Sequence, residues 1–151
     1  MIRHILLDSA PLGLLSNPMQ TAEVIAITQW SLSCLAAGHH LYVPEVIDYE
    51  LRRELLRAGK TKSLVELDGL KSIFYYLPIT TSTMLLAADL WATSRKSGFS
   101  TGDPKKIDID VILSAQALTL PESPPSIIVA TFNANHISRF ISADLWTNIK
   151  P

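Results

Sequence analysis

The feature that most constrains the fold is a regular alternation of short apolar segments with longer segments of helical periodicity. Residues 2–7 end in three successive apolar residues, which is typical of a buried strand in a parallel sheet. The same reasoning predicts strands over 41–43, 73–77 and 126–130, and a last short strand around 145–146. Helices are predicted over residues 19–37, 44–58, 62–71, 81–96, 108–120 and 135–140.

Helix and strand breakers separate these segments. Gly38, Gly59 and Gly98 each follow a predicted helix, where glycine commonly ends one. Residues 8–11 (Asp-Ser-Ala-Pro) are predicted to end the first strand, residues 100–106 to form a polar loop, and the prolines within 121–125 to form a rigid connector.

Strands that alternate with helices favour a parallel sheet covered by helices on both faces. The predicted fold class is therefore α/β, a three-layer αβα sandwich around a central parallel sheet. A length of 151 residues suits a single domain over residues 1–151, and the sequence shows no internal repeat or linker.

Composition limits the classes of function. Apolar residues make up 48% of the chain and charged residues 18%, below the roughly 25% of an average soluble domain, which favours self-association or a bound partner. The net charge of −1 gives no general basic excess. Any binding of nucleic acid must therefore rest on a local site.

The expected location is the cytoplasm. Cys34 is the only cysteine, so it can form neither an internal disulfide nor a zinc site by itself, and its apolar surroundings predict a buried residue. The apolar run over residues 5–7 is too short for the core of a signal peptide, and no run approaches the ~20 residues of a membrane span.

Several acids are predicted near one edge of the sheet. In an open parallel sheet, ligands collect beyond the carboxyl ends of the strands. Asp8 directly follows the first strand and Glu50 lies two turns into the helix after the second, while Asn133 follows the fourth. Asp108 and Asp110 begin the helix that leads into that fourth strand.

Such a group of acids suggests a metal site. Two carboxylates ~4 Å apart repel each other by ~4 kcal/mol at an effective dielectric constant of 20. A divalent cation removes this penalty, and hard oxygen ligands suit Mg²⁺ or Mn²⁺. A metal ion also makes bound water easier to deprotonate for attack on a phosphorus atom. A nuclease needs this pairing of a metal ion with activated water.

Four segments carry a resemblance to a known family. They are residues 5–9 (Ile-Leu-Leu-Asp-Ser), 44–51 (Pro-Glu-Val-Ile-Asp-Tyr-Glu-Leu), 110–117 (Asp-Val-Ile-Leu-Ser-Ala-Gln-Ala) and 131–136 (Thr-Phe-Asn-Ala-Asn-His). In order and spacing they resemble the PIN-domain proteins, and within them the VapC-like toxins of bacterial toxin–antitoxin pairs. The third segment is the most specific, because it is similar to the family's Asp-x-x-Ile-Ala-Ala-x-Ala stretch.

The resemblance implies a function and a set of site residues. It implies Mg²⁺- or Mn²⁺-dependent cleavage of RNA, a homodimer, and an antitoxin protein that blocks the site. It implies that Asp8, Glu50 and Asp110 are catalytic and hold the metal ion, and that Asn133 completes the catalytic set.

Two positions depart from the family pattern. Asn133 stands at the family's fourth acidic position in place of Asp, and it offers a carbonyl oxygen without a negative charge. Asp108 is a candidate to supply the missing charge. Ser9 follows Asp8 where Thr is common, and its hydroxyl is a candidate to support Asp8 or the water molecules around a metal ion.

Several residues allow two interpretations. Thr131 either orients an acid through its hydroxyl or simply ends a strand, and His136 is read as structural rather than as a general base. Asp108 and Asp110 also suit a helix start, where acids interact favourably with the helix dipole. The basic stretch of Arg52, Arg53, Arg57, Lys60 and Lys62 either binds RNA phosphates or forms a solvated helix face.

Alternative functions were compared with the nuclease. A phosphatase of the HAD type would need a second Asp two residues after Asp8, where the chain has Ala10, and a receiver domain would need an Asp after the third strand, where Pro78 stands. No glycine-rich phosphate loop is present. The remaining alternative is a PIN-like module that binds RNA or a protein and has weak or no catalytic activity, which the neutral Asn133 favours.

Overall fold

A computed structural model of the chain describes residues 1–98 and 104–151. Its centre is a five-stranded sheet with the strand order β3-β2-β1-β4-β5, and every pair of neighbouring strands is parallel. Leu6 pairs with Tyr42 on one side of β1, and Leu7 pairs with Ala130 on the other. The strands are β1 (His4–Leu7), β2 (His40–Pro44), β3 (Tyr75–Leu77), β4 (Ile127–Ala130) and β5 (Ala143–Asp144).

Seven helices among the described residues cover the sheet. The chain runs outward from β1 to β3 and then returns to β4, so right-handed crossovers place α1–α4 on one face and α5 and α6 on the other. This arrangement confirms the predicted three-layer αβα sandwich. The helices are α1 (Ser9–Leu15), α2 (Ala22–Ala36), α3 (Glu45–Arg57), α4 (Thr61–Ile73), α5 (Thr81–Lys96), α6 (Pro104–Leu118) and α7 (Ala134–Ile137).

The core lies between the sheet and its helices. The three apolar residues that end β1 have no exposed surface, which confirms the prediction of a fully buried central strand. Cys34 is also completely buried, and this burial raises the pKa of its thiol to about 11. The Trp30 indole donates a hydrogen bond of 2.7 Å to the Ile149 carbonyl, which fixes the carboxyl-terminal tail against α2.

No helix within residues 1–98 and 104–151 combines the length and the apolar character that a membrane span requires.

Several element boundaries differ from those predicted. Residues 9–15 form helix α1, whereas residues 8–11 were predicted only to end a strand; Asp8 caps this helix, and Pro11 falls in its first turn, where backbone N–H groups need no helical partner. Helix α6 begins at Pro104 rather than at residue 108, because proline suits the first position of a helix. The rest of the predicted loop, residues 100–103, lies outside the described residues.

The observed bounds of the two edge strands, β3 and β5, also differ from the predicted ones. Ile73 belongs to helix α4 and Phe74 ends it, so β3 is only three residues long. The last strand, β5, lies two residues before the predicted position, and Trp146 begins a short 3₁₀ turn instead. Both corrections concern short apolar runs, in which strand and helix have no distinct periodicity.

A polar cluster lies at the amino end of the sheet. The buried His4 contacts the Tyr42 hydroxyl through Nδ1 at 2.8 Å, and its Nε2 lies 4.0 Å from a Glu122 carboxylate oxygen. The His40 ring meets the His4 ring edge-on, with 4.8 Å between the ring centres. Burial is the largest effect on His4 and lowers its pKa below the usual value of 6.5, while Glu122 opposes this shift and His40 adds to it.

This depressed pKa predicts a loss of stability in mild acid. Below about pH 6.5 the unfolded chain binds a proton at His4 that the folded chain resists, so the free energy of unfolding falls as the pH drops through the folded pKa. The slope is at most about 1.4 kcal/mol per pH unit. Urea unfolding from about pH 7.5 to about pH 5.5 should show this dependence in wild type and a weaker one in His4→Gln.

The control is His136→Gln, which changes an exposed histidine and should keep the wild-type pH dependence. An equal slope in wild type and His4→Gln would contradict the assignment to His4.

Candidate functional site

Asp8 lies at the carboxyl end of β1 and begins helix α1. Its Oδ1 accepts a hydrogen bond of 2.8 Å from the Ser9 backbone N–H, and its Oδ2 accepts one of 2.7 Å from the Thr131 hydroxyl. The side chain is 9% exposed, so this carboxylate is almost withdrawn from solvent. A buried carboxylate is costly unless hydrogen bonds compensate it. These two donors therefore fix Asp8 in one orientation.

Thr131 connects two strand ends. It follows β4, has no exposed surface, and receives a hydrogen bond of 2.9 Å from the Asn133 backbone N–H while its hydroxyl donates to Asp8. Of the two interpretations of Thr131, the structure favours the one in which it orients an acid. The Asn133 side chain is exposed and does not cap the short helix α7.

Glu50 lies on α3, and polar side chains fix the start of this helix. The Glu45 carboxylate accepts hydrogen bonds from the Ile79 backbone N–H at 2.7 Å and from the Tyr76 hydroxyl at 3.1 Å. Its position between these donors joins α3 to the carboxyl end of β3. Glu50, one turn further along, is half-buried, and α3 packs on both α1 and α6.

Asp110 lies on α6, which a single buried amide joins to α3 and to β3. Gln116 accepts a hydrogen bond of 3.3 Å from the Val46 backbone N–H and donates one of 2.7 Å to the Leu77 carbonyl. Gln116 has no exposed surface, so both of its bonds are made in the interior. Asp110 is half-buried, two turns before this amide. We call this pair of bonds the Gln116 bridge.

The site residues predicted from the sequence therefore fall into two groups. Hydrogen bonds bring Asp8, Thr131 and the backbone of Asn133 together, and Ser9 contacts Asp8 through its backbone N–H. Glu50 and Asp110 lie on the two helices that the Gln116 bridge joins. The exposed Asp108 lines a cavity between α3, α5 and α6.

Sequence reasoning assigned no role to Gln116 or Glu45. Both residues lie inside the segments that carry the family resemblance, but a polar residue in a helix gives no sign of its partner in sequence. The one available signal is that Gln116 stands among apolar and small residues, where an uncharged polar side chain needs hydrogen bonds.

The oxygen atoms of the side chains at the carboxyl edge of the sheet suit a hard cation. In the described ranges, no three His, Cys, Asp or Glu side chains lie close enough together to hold a metal ion. Mg²⁺ does not require three, because it often binds one or two carboxylates and keeps several waters. Asp8 supplies carboxylate oxygens, which are hard ligands of the kind that Mg²⁺ prefers. The residues therefore fit a hydrated Mg²⁺ or Mn²⁺ ion.

The arginines that follow Glu50 differ in whether they form ion pairs. Arg52 contacts Asp48 at 2.9 Å and Asp68, which holds the pKa of Asp68 below its usual range. Arg57 contacts Glu54 at 2.8 Å. Arg53 takes part in none of the ion pairs found between described residues, and its guanidinium lies over the Tyr49 ring instead.

Comparison with solved structures finds the same fold in proteins of low sequence identity. A chain of VapBC2 from Rickettsia felis, solved with a DNA fragment from its promoter, aligns with a TM-score of 0.70 at 14% identity, and the match covers 95% of this chain and 98% of that chain. FitAcB from Neisseria gonorrhoeae aligns with a TM-score of 0.67 at 17% identity, covering 96% and 99%.

A third structure, VapBC-1 from nontypeable Haemophilus influenzae, aligns with a TM-score of 0.62 at 15% identity, covering 98% of this chain and 100% of that chain. No protein-family model matches the sequence, and no curated protein matches it. The similarity therefore shows the fold: the chain shares the fold of one chain in each of these structures over nearly its whole length.

The Gln116 bridge predicts a large loss of stability on its removal. Gln116→Leu leaves the Val46 N–H and the Leu77 carbonyl buried without partners, at a cost of roughly 2–4 kcal/mol in the free energy of unfolding. Urea denaturation measures this loss. The control Gln29→Leu makes the same change at an exposed position of α2 and should shift stability by less than about 0.5 kcal/mol. Equal effects of the two changes would exclude the bridge as a structural tie.

Proposed function

We propose that this chain is a Mg²⁺- or Mn²⁺-dependent endoribonuclease of the PIN-domain type, and the toxin of a type II toxin–antitoxin pair. One observation carries the proposal: on a fold of the VapC type, a buried Asp8 is held at the carboxyl edge of the sheet by Thr131. A buried acid at the edge of a parallel sheet where ligands collect supports a ligand site rather than a surface charge.

In this proposal, Asp8, Glu50 and Asp110 are the acids of the metal site, with one or two of their carboxylates and several waters on the ion, and Asn133 adds a neutral carbonyl oxygen. When bound, the ion would supply positive charge beside the scissile phosphate and favour deprotonation of a water molecule. Thr131 and the Ser9 N–H hold the Asp8 carboxylate, so that it need not reorganise during the reaction. The Gln116 bridge keeps the helices that carry Glu50 and Asp110 at a fixed separation.

Exposed apolar side chains support a protein partner. Four of them lie on α2 and α4, and two of these four, Leu32 and Ile73, line a cavity of about 260 Å³. A monomer gains nothing by leaving such a surface in water, so an antitoxin that covers it agrees with the proposed toxin role. We include in the proposal the homodimer and the cytoplasmic location that the sequence suggested. The exposed side chains are Ile25, Leu32, Val65 and Ile73.

The second candidate is a PIN-like module with weak or no catalysis. Two observations favour it: Asn133 brings no charge to the rim, and the described residues contain no group of three metal-binding side chains. Such a module would bind RNA or a protein without Mn²⁺-dependent cleavage. The following experiment separates the two candidates.

The nuclease proposal predicts that Asp8→Asn lowers Mn²⁺-dependent cleavage of structured RNA by about a hundredfold or more, because the carboxylate nearest the sheet loses its charge. Cleavage is followed on denaturing gels with purified, antitoxin-free protein. Asp89→Asn, the same change at an exposed position of α5, should cleave like wild type. If folded wild type does not cleave, or if Asp8→Asn cleaves equally well, the nuclease proposal fails.

Thr131 gives a graded test of the same site. Thr131→Val keeps the shape of the side chain but removes its hydrogen bond to Asp8, and we expect Mn²⁺ affinity and cleavage to fall about 10- to 100-fold. Thr131→Ser restores the hydroxyl and should recover most of both. Isothermal titration with Mn²⁺ measures affinity without turnover. Unchanged Mn²⁺ affinity in Thr131→Val would show that Asp8 does not depend on this contact.

A further inference from the structure

A cavity of about 370 Å³ lies between α3, α5 and α6, and α3 and α6 are the helices that carry Glu50 and Asp110. We call it the side cavity. Its volume falls within the range of pockets that bind small organic groups, about 300–1,000 Å³. Its apolar wall includes Val46, Ile109 and Ile112, and its polar groups are Tyr49, Arg53 and Asp108.

The side cavity shares its helices with the proposed metal site. Tyr49 directly precedes Glu50 on α3, and Ile109 directly precedes Asp110 on α6. Val46, at the bottom of the α3 wall, also belongs to the Gln116 bridge. The two walls are therefore held at a fixed spacing, and the cavity is formed before any ligand arrives.

Tyr49 and Arg53 form a stacked pair at the mouth. Tyr49 is 57% exposed, and the Arg53 guanidinium lies 5.1 Å from the centre of its ring. This distance is within the range of a cation–π contact. Arg52 and Arg57 are occupied by acids, whereas none of the ion pairs between described residues includes Arg53. Its charge is thus available to an anion.

We propose that the side cavity binds one unpaired nucleotide of an RNA substrate, next to the phosphate that is cleaved. The base would stack on Tyr49, because every base offers a π-face to an aromatic side chain. Arg53 would contact the adjoining phosphate, and the Asp108 carboxylate would accept a hydrogen bond from a base amino group. This inference rests on the proposed nuclease function and adds a substrate preference to it.

The preference follows from the charge of Asp108. A carboxylate accepts hydrogen bonds and cannot donate them. Cytosine presents an amino group on the edge where uracil presents a carbonyl oxygen, which a carboxylate repels. The side cavity should therefore favour cytosine over uracil.

Binding is measured by fluorescence anisotropy with short fluorescein-labelled oligo(C) and oligo(U) in metal-free buffer, where no cleavage interferes. Tyr49→Leu should raise the Kd for oligo(C) by roughly fivefold or more, while Tyr49→Phe should stay within about twofold of wild type because it keeps the stacking surface. The matched control is Trp91→Leu, since Trp91 carries a similar arginine stack, with Arg95 5.2 Å from its ring centre. This control should bind like wild type.

Two further variants test the other contacts. Arg53→Gln should reduce the slope of log Kd against log salt by about one, whereas Arg57→Gln, whose arginine is paired with Glu54, should leave the slope unchanged. Asp108→Ala should reduce the preference for oligo(C) over oligo(U).

Each outcome decides for or against the side cavity. Wild-type binding by Tyr49→Leu overturns the proposal. If Tyr49→Leu instead dissociates a dimer in sedimentation experiments and leaves oligo(C) binding unchanged, the cavity is a contact between two copies of the chain, and the proposal is also overturned. Tyr49-dependent binding without Mn²⁺-dependent cleavage would reject the nuclease and keep the nucleotide site. Asp8-dependent cleavage with unchanged binding by Tyr49→Leu would do the reverse.

Discussion

The parallel pairing of β1 with β4 is the constraint on which the candidate site depends. It brings Leu7 beside Ala130, so the next residues, Asp8 and Thr131, meet at the sheet edge although 123 positions separate them. A shift of one residue in this register would turn the Thr131 side chain to the other face of the sheet. The buried Asp8 would then lose a hydroxyl donor. The apolar residues of β1 oppose such a shift, because all of them are buried.

Side chains, rather than sheet contacts, position the second group of acids. Glu45 joins α3 to the segment after β3, and Gln116 joins α3 and α6 to β3 itself. The bond between Val46 and Gln116 is buried and the others are partly buried, and a polar contact shielded from water is strong when satisfied and costly when broken. The helices that carry Glu50 and Asp110 are thus tied to the sheet by a few interior hydrogen bonds. The same bonds hold the walls of the side cavity, so the proposed metal and nucleotide sites share one support.

The sequence predicted elements well where apolar periodicity was strong. Helix α5 was predicted with its observed bounds, and the buried strand β1 was recognised from successive apolar residues. Helix α1 was missed because Asp8 and Pro11 also fit a turn, and only the tertiary structure shows that Asp8 caps a helix. The residues at the sheet edge followed from strand order. The Gln116 bridge did not, because Gln116 and its two partners, Val46 and Leu77, belong to elements far apart in the chain and a sequence does not give their spacing.

His4 and Asp8 stand at opposite ends of β1, about 13 Å apart at ~3.3 Å per residue. Effects of mutations at such a separation usually add. Glu122 and Tyr42 surround one end, and Ser9 and Thr131 surround the other. Stability in acid, which depends on His4, and the chemistry of the Asp8 site can therefore evolve separately. This holds although a single strand of four residues connects the two positions.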